Sequence, residues 1–100
     1  MGKVILKIPP FFAYVMGPEF TGWFVQDREV GEETTVRDLL TELALINPMF
    51  RSAVFDPDEG TVSEGINLIL NQKLLNIPLE IGTKLNDKDT IVLLPSLSGG

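Results

Sequence analysis

The sequence contains no cysteine and no histidine. Thiol catalysis, disulfide frameworks, zinc sites built on Cys or His, and imidazole acid–base chemistry are therefore excluded together. Basic residues are also scarce: eight lysines and arginines stand against fourteen acidic residues, a formal charge of -6. That balance repels phosphate backbones and anionic membranes and favours encounter with basic protein surfaces, so neither nucleic acid nor membrane is an expected partner. No apolar run reaches membrane-spanning length, and the opening residues do not resemble a signal peptide, which makes a cytoplasmic location the expectation. Met1-Gly2 suggests myristoylation, but Leu6 stands where that motif needs Ser or Thr. Neither GxxxxGK[ST] nor GxGxxG occurs, so no nucleotide cofactor is expected to bind this chain.

What the chain does have is 44% hydrophobic content in 100 residues, enough for one domain with a single core. Lys3 to Ile8 alternates like a half-buried strand and stops at Pro9-Pro10. The segment from Phe11 to Gly22 is aromatic-rich but broken by Gly17-Pro18 and Gly22, and it reads as a long connection without regular structure. A second strand is expected over Trp23 to Val30. Over Glu32 to Pro48, Val36, Leu39, Leu40, Leu43 and Ile46 or Ala44 recur at the spacing of an apolar helical stripe, which Asn47-Pro48 closes. Thr35 is placed to cap that helix, with Asp38 completing a capping box. Met49 to Phe55 adds a short helical turn, and Asp56 to Gly60 forms a polar surface loop.

A third strand follows over Ile66 to Leu70, with a tight reversal at Asn71-Gln72 into a short strand through Lys73 to Leu75. After a polar turn, the apolar run Thr90 to Leu94 suits a buried central strand. This order predicts an α+β β-grasp fold: a mixed sheet of four to five strands packed on one main helix, its first and last strands parallel neighbours. The expected division is one domain over 1–95 and a flexible tail over 96–100.

The chemistry is expected in that tail. Beyond Pro95, five residues, Ser96-Leu97-Ser98-Gly99-Gly100, span at most roughly 17 Å, enough to enter a partner's active site. Glycine lacks Cβ, so Gly99 passes a narrow channel and Gly100 presents an unhindered carboxylate. A carboxylate is a poor electrophile; it must first become a mixed anhydride, usually with ATP, before a sulfur nucleophile displaces AMP to leave a thiocarboxylate. Because this chain has no nucleotide motif, ATP and its Mg must be used by a partner.

The stretch Leu85-Asn86-Asp87-Lys88-Asp89-Thr90-Ile91-Val92-Leu93-Leu94-Pro95-Ser96-Leu97-Ser98-Gly99-Gly100 resembles the close of the MoaD/ThiS-type sulfur carriers, which are ubiquitin-like. Thr35-Val36-Arg37-Asp38-Leu39-Leu40 and Ile66-Asn67-Leu68-Ile69-Leu70-Asn71 also match, so the resemblance covers most of Thr34 to Gly100 and, loosely, Lys3 to Ile8. At Asp87-Lys88-Asp89 relatives commonly carry a glycine in the turn. The length is closest to the molybdopterin-synthase small subunit or the carrier of cysteine synthesis. The resemblance implies that Gly100 is adenylated and thiocarboxylated by an E1-like adenylyltransferase of the MoeB or ThiF type, with Gly99, Ser98, Leu97 and Pro95 in the enzyme's channel. The recipient would be a MoaE-type synthase subunit making molybdopterin for molybdenum or tungsten cofactor, a cysteine-synthase-type protein, or the thiamin pathway. On this reading the chain is a protein co-substrate, not an enzyme by itself.

Two other functions remain open: a ubiquitin-like modifier joined to target lysines through Gly100, and an interaction module with an inert tail. Phe11, Phe12, Tyr14, Phe20 and Trp23 form either a partner-binding surface or a satellite core. Asp56, Asp58, Glu59 and Glu64 lack the spacing of a calcium loop, so no metal site is expected.

Overall fold

The computed structural model describes residues 2–95. Its strands and helices run β1 (Gly2–Ile8), a 3-10 helix (Pro10–Met16), β2 (Phe24–Val30), α1 (Val36–Ile46), α2 (Pro48–Ala53), β3 (Phe55–Asp56), β4 (Thr61–Val62), β5 (Ile66–Leu70), β6 (Lys73–Leu74) and β7 (Thr90–Pro95). Five strands form one sheet in the order β2-β1-β7-β5-β6. Only β1 and β7 are parallel; the other pairs are antiparallel. This is the α+β β-grasp arrangement that the element order predicts, with the first and last strands adjacent at the centre.

Alternation along β1 places Val4, Leu6 and Ile8 on one face, where they meet Leu68 of β5 and Ile91 and Leu93 of β7. Val36, Leu39, Leu40 and Leu43 bring the apolar stripe of α1 onto the same core. The expected capping box is present: the Thr35 hydroxyl accepts from the Asp38 amide at 3.2 Å, and the Asp38 carboxylate accepts from the Thr35 amide at 3.0 Å. Two further amides at the helix start, those of Val36 and Arg37, donate to the carbonyls of Thr83 and Ile81, each at 2.9 Å. The helix start thus anchors the polar loop that leads into β7. At the outer edge, Arg28 of β2 pairs with Glu42 of α1.

One local expectation needs correction, and two gain detail. The segment from Phe11 to Gly22 is not wholly irregular: Pro10 starts a 3-10 helix that buries Phe12, Ala13 and Val15 and ends at Gly17. Proline at the first helical position is preorganised for that start. The main helix runs Val36–Ile46 with Thr35 as its expected cap, and Pro48 begins α2 as well as closing α1. The Asp56 to Gly60 loop closes a small antiparallel ladder, Phe55 opposite Val62 and Asp56 opposite Thr61.

Candidate functional site

The parallel register sets where the chain leaves the sheet. Ile5, Leu6 and Lys7 lie opposite Thr90, Ile91 and Val92, so Pro95, three residues further on, reaches the end of the sheet where β1 passes into Pro9 and the 3-10 helix. Pro95 is the last residue of β7 and lies opposite Ile66. Leu97, Ser98, Gly99 and Gly100, expected to enter a partner's channel, and the expected 96–100 tail lie outside the described residues.

The entry to β7 is held from both sides. Asp89 is buried, and its two carboxylate oxygens accept from the Asn71 side-chain amide at 2.8 Å and the Asn86 backbone amide at 2.7 Å. The Asn71 side chain in turn accepts from the Thr90 amide at 2.9 Å, and its backbone donates to the Thr90 carbonyl at 2.9 Å. On the β1 side, the Asp87 carboxylate accepts from the Lys3 amide at 2.9 Å, and the Lys88 amide donates to the Lys3 carbonyl at 2.7 Å. This close approach also requires Gly2, since a Cβ there would fall 2.8 Å from the Asp87 Cα. The register that delivers Pro95 is therefore fixed by hydrogen bonds at the start of the strand.

The structure divides the five aromatic candidates. Phe12 is buried in the core, and Phe20 is partly buried, its ring edge-on to Phe24 with centroids 4.8 Å apart. Those two pack with the core. Phe11, Tyr14 and Trp23 remain exposed.

Sequence reading missed a second apolar surface. Val25, Lys7, Val92, Ile69 and Leu74 are mutual register partners across all five strands, on the face opposite the core. Val25 and Leu74 are exposed and the middle three half-buried. A hollow of about 370 Å3 on this face is lined by Lys7, Ile69, Asn71, Gln72, Thr90 and Val92. The signal was available in the unbroken apolar run Ile91 to Leu94: one helix covers only one face of a sheet, so half of that run has to remain uncovered.

Among the described residues no group of three or more acidic side chains is arranged to hold a metal ion. In the acidic loop, Arg51 pairs with Asp58 and lies 3.8 Å from Asp56, which makes those carboxylates partners of a cation already present. No described helix is long and apolar enough to cross a membrane.

The ThiS family model matches residues 18–100, which includes the strand, the pinned turn and the terminal diglycine. The chain belongs to the ThiS family. Proteins of this family are small ubiquitin-like sulfur carriers or modifiers rather than enzymes. Among solved structures, the ThiS-family chain is similar to SAMP1 from Haloferax volcanii, with a TM-score of 0.73, 27% identity, and 99% of this chain and 100% of that one covered. The putative molybdopterin converting factor subunit 1 from Pyrococcus furiosus shares the fold at TM-score 0.69 and 22% identity, covering 97% of this chain and 100% of its own. A chain of the Amycolatopsis orientalis BexX/CysO complex does so at TM-score 0.67 and 20% identity, covering 97% and 99%. A comparison with curated proteins found no match.

Proposed function

We propose that this ThiS-family chain is a cytoplasmic sulfur carrier that works through the carboxylate of Gly100. An E1-like enzyme of the MoeB or ThiF type uses ATP and Mg to join that carboxylate to AMP, releasing pyrophosphate. A sulfur nucleophile then displaces AMP and leaves the C-terminal thiocarboxylate. The proposed recipient is a MoaE-type subunit, which would make this chain the small subunit of molybdopterin synthase; cysteine-synthase-type and thiamin-pathway proteins are the alternative recipients. The chain itself binds no cofactor in this scheme. Gly99, Ser98 and Leu97 pass through the activating enzyme's channel, with Pro95 at its mouth.

The observation that carries the reading is the pinned central strand β7, which ends at Pro95 five residues before Gly100. Intact mass of the purified chain, measured after incubation with ATP, a sulfur donor and an activator verified on its own carrier, is expected to rise by the difference between sulfur and oxygen. A variant lacking Gly100 should show no gain. An unchanged mass for the full chain sinks the reading.

The likeness to a small archaeal modifier protein at 27% identity favours a second reading, in which Gly100 forms isopeptide bonds with lysines of other proteins. Higher-mass adducts in cell extract that vanish when Gly100 is deleted would support it.

A further inference from the structure

At the end of the sheet where β7 stops, the side formed by β1, the 3-10 helix and β2 is poor in charge, whereas Glu64 lies on the other side, just before Ile66 opposite Pro95. From Ile8 through Gln26 the sole charged residue is Glu19, and from Leu43 through Phe50 there is none. Three aromatic rings remain in solvent here: Phe11 is 56% exposed, Tyr14 47% and Trp23 57%. They are firmly mounted. Phe12, Ala13 and Val15 of the same 3-10 helix are buried, Phe12 meets the Tyr14 ring edge-on at 5.6 Å, and Trp23 precedes Phe24, which pairs with Ile8. Helix α2 packs against the 3-10 helix, and at the junction of α1 and α2 the side chains of Ile46 and Met49 are exposed as well.

We infer that Phe11, Tyr14 and Trp23 are the docking surface for the enzyme that activates the tail. The inference rests on the carrier reading above and adds a surface to it. Five residues beyond Pro95 reach at most roughly 17 Å. An enzyme holding Gly100 in its active site must therefore lie against this end of the sheet, whatever else it touches. Depletion of charge, together with rigid Tyr, Trp and Phe rings, is the composition of an interface core, and rings held in place lose little freedom on binding. The matching enzyme surface is an uncharged apolar wall beside the channel, distinct from the basic surface that the acidic remainder of this chain attracts.

The test measures pyrophosphate exchange by the purified E1-like adenylyltransferase from the same cells, with the full-length chain as substrate. The triple variant Phe11→Ala, Tyr14→Ala, Trp23→Ala and the single variant Trp23→Ala are compared with the parent, after circular dichroism and urea midpoints establish that each is folded. The expected result is a KM for the carrier raised roughly thirtyfold in the triple variant, with kcat retained, and a smaller rise for Trp23→Ala. A KM unchanged in both variants overturns the inference while leaving the carrier reading intact. Failure of the parent chain itself to support exchange overturns the carrier reading and this inference with it. Sedimentation supplies a third outcome: a dimer of the parent that the triple variant abolishes would assign the surface to a second copy and also overturn the inference.

Discussion

Lys88 adopts a φ of +72°, in the left-handed region that costs a non-glycine residue on the order of 1 kcal/mol. It holds that geometry because its amide is bonded to the Lys3 carbonyl and the next residue, Asp89, is tied to Asn71 and Asn86. A lysine thus holds a left-handed conformation that glycine adopts most readily. Lys88→Val, whose branched Cβ fits this region worst, is expected to lower stability by about 1–2 kcal/mol in urea denaturation. Lys88→Gly should change it by about 1 kcal/mol or less, because relief of strain opposes the greater freedom of the unfolded chain. Equal stabilities for the valine and glycine variants would mean that the turn does not need its left-handed residue. The unusual turn was legible in the sequence as a departure at Asp87-Lys88-Asp89; the bridge from Asn71 to Asp89 was not, since nothing local connects residues 18 positions apart.

Among the elements, α1 was the most legible, because its signals are local: an apolar stripe, a threonine cap and an aspartate three residues on. Thr35→Ala is expected to reduce stability by about 1 kcal/mol, read as a lower thermal midpoint, with Thr35→Ser close to the parent; an alanine variant as stable as the parent would show the cap to be redundant with the Thr83 and Ile81 carbonyls. The 3-10 helix was harder to see. Its apolar positions Phe12 and Val15 repeat at the three-residue period of that helix, but one repeat amid other aromatics is too short to stand out. Strand β7 was legible in part: the all-apolar run Ile91 to Leu94 implies that one face stays uncovered, but which residues lie on it appears only in the burial of Ile91 and Leu93 against half-exposed Val92 and Leu94.

For the whole molecule, the charge of -6 acts over distances longer than any contact described above. Association with a basic activating enzyme is expected to slow as ionic strength rises, because salt shortens the screening length from about 30 Å at 0.01 M to about 8 Å at 0.15 M. Stopped-flow association rates across that range check this, and a flat profile would remove charge from the account of encounter. The candidate site was legible at this scale chiefly by elimination and by the terminal glycines, since a chain without Cys, His or nucleotide motifs leaves few places for chemistry. Which aromatic rings face solvent depended on long-range packing that no single stretch of sequence encodes.

The central position of β7 also has a mechanical consequence. The strand is bonded along one side to β1 and along the other to β5. Tension applied through Pro95, as when a partner grips and draws on the tail, is therefore shared by two ladders loaded in shear. A strand at the sheet edge would carry the same load on a single ladder. The placement lets a load at Pro95 be borne while the domain stays folded.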